Sequence, residues 1–218
     1  MTETPKNNPI KMICVFCGAS PGRDPEYVEQ AKELGLEMVR RGYGLVYGGG
    51  SYGLMGTLAQ TVHQNGGRVV GIIPEALKKV ERPELDGKPL EQVFGEEIVV
   101  PDMHTRKGLM NKMSDAFCAL PGGYGTFEEL LEVTTWSQLS IHTKPVMVFN
   151  MKGYYDHLLK FIQHGIDEKF IVDWSANVMV PGTTAKEVLD KMEVYEPPKS
   201  RFALDWTASL DKPKESFV

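Results

Sequence analysis

Cysteine is scarce: the 218 residues hold three, two of them, Cys14 and Cys17, inside one strand-like run. So few cannot build a disulfide framework, and their use points to a reducing compartment. Long apolar runs are missing as well. Nothing approaches the ~18 consecutive apolar residues of a membrane span, and the polar stretch Met1 to Asn8 lacks the apolar centre of a signal peptide. The expected address is the cytoplasm, with no membrane partner. There is no excess of positive charge either, since 24 Lys and Arg face 29 Asp and Glu for a net charge of −5. Such a chain lacks the broad cationic field that holds a phosphate backbone by counterion release, so nucleic acid is not expected as the main partner. The five histidines (His63, His104, His142, His157, His164) are scattered without a HExxH pattern or a Cys/His cluster, and no metal site is expected.

What is present is ordinary globular composition, 42% hydrophobic and 24% charged, enough for a full core in one domain of common size. Short apolar runs recur at Met12 to Cys17, Gly44 to Tyr47, Arg68 to Ile73, Glu97 to Val100, Ala116 to Leu120 and Pro145 to Phe149. They are apolar on both faces, as parallel strands buried on both sides are. Between them lie helix-like segments over Pro25 to Arg41, Gly53 to Gln64, Met103 to Ser114, Phe127 to Leu139 and Tyr154 to Glu168, and a weaker last unit pairs Val178 to Val180 with a helix from Thr184 to Met192. Alternation of this kind predicts an α/β fold, a doubly wound parallel sheet with helices on both faces, because right-handed crossovers place a helix between successive parallel strands. One nucleotide-binding domain is expected over residues 10–195, after a disordered segment 1–9 and before a tail 196–218. Residues 81 to 96, rich in turn signals, read as a long loop.

Three strands run into glycine turns: Gly18-Ala19-Ser20-Pro21-Gly22, Gly48-Gly49-Gly50-Ser51-Tyr52-Gly53 and Pro121-Gly122-Gly123-Tyr124-Gly125-Thr126. A parallel sheet gathers all its carboxyl ends on one edge, where open α/β folds bind ligands and helix N-termini favour anions. One glycine after a strand can serve a tight turn alone; three converging turns point to a phosphorylated ligand. Gly48, Gly50 and Gly53 also satisfy G-x-G-x-x-G, with Glu75 about 20 residues on, which keeps a dinucleotide-dependent oxidoreductase open. In the third turn the glycines let backbone approach an anion, and the Thr126 hydroxyl adds a donor. Glu129 has two readings. Thr126-x-x-Glu129 fits a capping box, in which the carboxylate folds back on the Thr126 N–H; a carboxylate one turn from a phosphate-binding helix start is also placed to reach a ribose. Met55, Met103, Met110 and Met113 fit core packing, or the lining of a base pocket.

These motifs, Pro121-Gly122-Gly123-Tyr124-Gly125-Thr126-x-x-Glu129 with Met103-His104-x-Arg106-Lys107, Cys17-Gly18 and Gly48-Gly49-Gly50, resemble the LOG ("Lonely Guy") family over roughly residues 10 to 190. Its members are cytokinin riboside 5′-monophosphate phosphoribohydrolases, often labelled lysine decarboxylases. The resemblance implies a Rossmann-like homodimer that hydrolyses the N-glycosidic bond of a nucleoside 5′-monophosphate to free base and ribose 5-phosphate, without a cofactor. It implies Arg106 and Glu129 as the catalytic pair. It also implies a substrate and phosphate site built from Ser20, Gly48, Gly49, Gly50, Met103, Lys107, Gly122, Gly123, Tyr124, Gly125 and Thr126. Glu129 is expected to hold the ribose, stabilise an oxocarbenium-like cation and orient water. Arg106, charged at any working pH, is expected to act electrostatically. A decarboxylase would need a Schiff-base lysine with a pyridinium partner, and no lysine stands in such a setting. A nucleotide-sensing module on the same fold remains the other alternative.

Overall fold

In a computed structural model the chain is described over residues 10–78, 93–198, 204 and 206, with the backbone of 84–85 and 88–89. The expected disordered segment 1–9 and most of the tail 196–218 lie outside the described residues. Seven strands form the main sheet: β1 Met12–Phe16, β2 Gly44–Tyr47, β3 Val69–Pro74, β6 Glu96–Val100, β7 Ala116–Ala119, β8 Val146–Phe149 and β9 Met179–Gly182. Their order is β6-β3-β2-β1-β7-β8-β9, with every pairing parallel. Two further strands among the described residues, β4 (Glu84–Leu85) and β5 (Lys88–Pro89), pair antiparallel. The stretch expected as one long loop therefore contains a hairpin, a signal the Asp86-Gly87 dipeptide carries.

Among the described residues the helices are α1 Glu26–Arg40, α2 Gly53–Gln64, α3 Met103–Met113, α4 Tyr124–Gln138, α5 Asp156–Asp167 and α6 Ala185–Glu193. Strands buried on both faces need two cores, and two are present. Ile13, Val15, Leu45 and Tyr47 point toward α1, α2 and α6, meeting Leu34, Met38, Leu58, Val62 and Val188. Cys14, Phe16, Val46 and Phe117 point to the other face and meet Met110 of α3, Leu130 and Val133 of α4 and, partly buried, Leu158 and Ile162 of α5. The alternation of successive strand residues between these sets is the period-2 pleat. In α1 Ala31, Leu34 and Met38, at spacings of three and four, are fully buried, and Gly42 (φ +78°) closes the helix as the Tyr43 N–H reaches the Met38 carbonyl at 2.9 Å.

The order reverses between β1 and β7. The chain runs outward from β1 to β6, then returns through α3 to lay β7 on the other side of β1. That is a topological switch point, so the turns leaving β1 and β7 lie side by side at the carboxyl edge, the place where open α/β sheets bind ligands. They touch: the Gly18 N–H donates to the Pro121 carbonyl at 2.9 Å.

Away from this edge, Arg41 ties α1 to α6 through Glu37, Asp190 and Glu193, at 2.6 to 2.8 Å. Hydrogen bonds from Arg40 and Arg41 pull the Glu37 carboxyl down to about 2 against the desolvation that raises it. A carboxyl lowered on folding stabilises fully above its unfolded value near 4.5 and loses that contribution as pH falls toward 2. Glu37→Gln is thus expected to unfold more easily than the native chain at pH 7, with the difference closing between pH 4.5 and 2. Denaturant melts across that range check it, and a pH-independent difference would contradict it.

Candidate functional site

The helix that follows β7 starts earlier than its sequence indicates. α4 begins at Tyr124 with Gly123 as N-cap, in extended conformation and without a side-chain cap. Thr126 is therefore the third residue of the helix and not its cap, so the capping-box reading of Thr126-x-x-Glu129 is overturned. Glu129 lies one turn further in and is not needed to close the helix start. The first helical closure is the Phe127 N–H on the Gly123 carbonyl at 3.0 Å. Ahead of it stand the N–H groups of Gly123, Tyr124, Gly125 and Thr126, the four donors a helix start leaves over. Around Gly123 and Gly125 a Cβ would meet nothing within 4 Å, and Tyr124 is 92% exposed; this end of α4 faces open space. Gly122 is different. A Cβ there would lie 2.1 Å from Thr126 Oγ1 and 2.9 Å from the Gly18 nitrogen, so glycine is required for the buried Thr126 hydroxyl to sit beneath the turn.

Facing this turn, the loop after β1 carries Ser20, exposed, its Oγ accepting from the Gly22 N–H at 3.2 Å. The Gly18 carbonyl accepts from the first amides of α2, Leu54 at 3.1 Å and Met55 at 3.4 Å. Behind it, Gly48, Gly49 and Gly50 are buried.

Arg106 comes from α3, whose start is fixed by Asp102 accepting from the Thr105 N–H at 2.7 Å. Although a helix arginine, it is only 4% exposed. Its Nη2 donates to the Gly48 carbonyl at 2.9 Å, and Nη1 lies 3.8 Å from the Met103 sulfur. A Cβ on Gly48 would sit 2.2 Å from Nη2 and 3.3 Å from the Met55 sulfur. Gly48 thus makes room for the guanidinium, and Met55 and Met103 flank it. Met110 belongs to the second core and Met113 packs against it.

Glu129 projects from α4 toward α3. With Lys107, Met110, Asn111, Glu132 and Val133 it lines a small cavity floored by Phe16 and Phe117. Arg106 and Glu129 are both within electrostatic reach of the Cys14 thiol on β1, which burial pushes well up, Glu129 raises further, and Lys144 and Arg106 lower. The two helices are bridged directly beside the pair. Lys107 Nζ donates to Glu128 at 2.6 Å and Glu132 at 2.8 Å; burial lowers its pKa, and these two carboxylates outweigh that and raise it. Lys107, expected among the phosphate contacts, is thus occupied in joining α3 to α4. His104 is exposed, and His142 is buried with Nε2 2.9 Å from the Val133 carbonyl.

Gly53 (φ +63°) would place a Cβ 2.4 Å from the Ala19 carbonyl carbon. Two of the three G-x-G-x-x-G glycines, Gly48 and Gly53, therefore admit protein atoms rather than a pyrophosphate. Gly48→Ala is expected to push Arg106 off the Gly48 carbonyl and, with Arg106 expected as one of the catalytic pair, to lower turnover about 100-fold, the scale of an ångström's misplacement at such a group. Gly108→Ala, where a Cβ meets nothing, is the matched control, and equal steady-state rates for the two variants would contradict this assignment.

Sequence reasoning missed Tyr154 and Tyr155, whose hydroxyls donate to the carbonyls of Gly122 and Leu120 from 32 and 35 residues away. Their only signal is a Tyr-Tyr pair at a helix start.

Residues 55–192 match a family model described as "Possible lysine decarboxylase". The chain is 49% identical over 201 residues, 92% of its length and 90% of the relative's, to cytokinin riboside 5′-monophosphate phosphoribohydrolase LOG3 of Arabidopsis thaliana. It is 51% identical over 188 residues, 86% of its length and 83% of the relative's, to the phosphoribohydrolase LOG7 of the same plant. Among solved structures, the molybdenum cofactor carrier protein of Chlamydomonas reinhardtii aligns with a TM-score of 0.60 at 19% identity, covering 85% of this chain and 99% of that one, a likeness of fold. With that fold, these motifs and about half of the aligned residues shared with named members, the chain belongs to the LOG family of cytokinin riboside 5′-monophosphate phosphoribohydrolases.

Proposed function

We propose that this protein hydrolyses the N-glycosidic bond of cytokinin riboside 5′-monophosphates, and of AMP-like nucleoside 5′-monophosphates, to free base and ribose 5-phosphate. The observation that carries the reading is the helix start after β7, whose amides face open space at the carboxyl edge, with Glu129 one turn into that helix and Arg106 buried against the glycine loop after β2. The names of the relatives supply the substrate class.

The phosphate docks on the amides of Gly123, Tyr124, Gly125 and Thr126, with Ser20 and the Gly22 loop opposite and the helix dipole adding attraction. Gly122, Gly48, Gly49 and Gly50 shape the cradle; Met103 borders the base. Lys107 acts through α3 and α4. Anchoring the phosphate positions the far bond, so binding energy at one end serves chemistry at the other. As the bond from C1′ to the base nitrogen breaks, its electron pair leaves with the base and the ribose becomes oxocarbenium-like. The Glu129 carboxylate stabilises that cation and orients the water whose oxygen bonds to C1′; one water proton passes to Glu129 and on to the departing base. Arg106 holds its fixed charge at the Gly48 loop and acts electrostatically on the reacting groups. No step calls for a cofactor or a metal.

The dinucleotide reading weakens where Gly48 and Gly53 are filled by protein. A decarboxylase would need a lysine at this edge for a Schiff base. Lys107 is paired with two carboxylates, and Lys144, hydrogen-bonded to Asn111, precedes β8 at the opposite edge. Nucleotide sensing without turnover is the remaining alternative, and the retained Arg106 and Glu129 speak for catalysis. A cytoplasmic homodimer completes the proposal. No helix among the described residues is long and apolar enough to cross a membrane.

The test is base release from isopentenyladenosine and AMP as 5′-monophosphates, set against the matching nucleosides. The expected result is release from monophosphates alone. Equal release from nucleosides would remove the phosphate cradle from the mechanism, and tight AMP binding without any release would support sensing.

A further inference from the structure

The turn after β7 presents its amides outward, yet its own glycines do not hold it so: Gly122, Gly123 and Gly125 supply freedom and no restraint. The restraint comes from across the fold. The Tyr154 hydroxyl donates to the Gly122 carbonyl, and the Tyr155 hydroxyl to the Leu120 carbonyl at 2.6 Å. In a trans peptide the C=O and the following N–H point in opposite directions. A tyrosine holding the Gly122 carbonyl therefore fixes the Gly123 N–H on the opposite side of that peptide, at a residue with open space around it. At Leu120 no amide is aimed, because the next residue is Pro121, which has no N–H.

Tyr154 is itself held. Its ring packs at 5.1 Å on Tyr155, 6.2 Å on Tyr27 of α1 and 6.5 Å on Phe127 of α4. The backbone before it takes a conformation that needs external support, with Lys152 at φ 52° and Gly153 at φ 74°. That support is visible: Lys152 Nζ binds Asp24 at 2.9 Å and Glu26 at 2.8 Å, while Asn150 accepts from the Tyr155 N–H at 2.7 Å and donates to Asp156 at 2.7 Å. Left-handed backbone at a non-glycine residue, pinned from several sides and two residues from a site contact, is the usual setting of a functional constraint.

We propose that Tyr154 is a positioning residue for phosphate recognition: its hydroxyl, bound to the Gly122 carbonyl, aims the Gly123 amide at the substrate phosphate. This rests on the phosphate reading of the turn and adds to it a residue outside the motif. Tyr154→Phe removes the hydroxyl and keeps the ring, and at 38% exposure it leaves no buried hole.

The experiment measures the Kd of ribose 5-phosphate by calorimetry, with KM and kcat on AMP, for the native protein, Tyr154→Phe and Tyr155→Phe. Tyr154→Phe is expected to raise Kd and KM together by about 3- to 10-fold, the scale of one hydrogen bond, with kcat within about twofold of native. Tyr155→Phe is expected to lower the melting temperature, since it leaves a buried carbonyl unpaired, and to leave Kd unchanged. An unchanged Kd in Tyr154→Phe, or an equal rise in both variants, overturns the proposal while the phosphate reading stands. Native protein that does not bind ribose 5-phosphate overturns both, and that failure shows before any variant is made.

Discussion

Glu129→Gln is expected to bind ribose 5-phosphate as the native protein does and to release base about 1,000-fold more slowly. The substitution keeps shape and hydrogen-bonding reach and removes one negative charge. The amides of Gly123 to Thr126, proposed to hold the phosphate, lie at the start of α4, one turn away, and Gly123 caps that helix without a side chain. The anchor thus survives the change. Lost is the anion beside a developing cation and the base that takes the water proton, contributions worth 10² to 10⁴ in rate for general-base catalysis and of similar size for electrostatic stabilisation. Paired measurements of Kd for ribose 5-phosphate and of kcat separate the two. A variant that turns over at the native rate would remove Glu129 from the chemistry, and one that no longer binds would make its role structural.

Arg106→Lys is expected to lose about 100-fold in kcat while Arg106→Ala loses more and also melts at lower temperature. A guanidinium reaches the Gly48 carbonyl at 2.9 Å with one arm and the Met103 sulfur with the other, from a side chain 4% exposed. An ammonium carries the charge but has no planar fork, so it cannot keep both arms in place. Truncation to alanine opens a hole and leaves a buried carbonyl without its donor. Comparing kcat with the melting temperature for the two variants separates charge placement from packing. Native turnover in Arg106→Lys would mean that charge alone suffices.

Much of the fold is legible from residues alone. Runs such as Met12 to Cys17 and Ala116 to Leu120 are apolar on both faces because helices cover both, and few arrangements besides a covered parallel sheet produce that pattern. The glycine turns are legible because only glycine tolerates a guanidinium 2.2 Å from its absent Cβ, as at Gly48, or a threonine hydroxyl beneath it, as at Gly122. The start of α4 is not. Tyr124, Gly125 and Thr126 carry little intrinsic helix preference, and the cap is a glycine with no side chain to announce it. The burial of Arg106 is equally hidden, since it depends on α3 crossing back under β2 and β1. The partners of Lys107 lie 21 and 25 residues away and those of Tyr154 and Tyr155 more than 30. Such pairings are set by strand order, which no local window contains.

If this site breaks the bond between base and ribose 5-phosphate, mass balance on isopentenyladenosine 5′-monophosphate shows it most directly, with free base and ribose 5-phosphate quantified together and Glu129→Gln run in parallel. The expected result is the two products in equal amounts from the native protein and almost none from the variant. Base released with free ribose and inorganic phosphate, or nucleotide recovered intact under saturating binding, would contradict it.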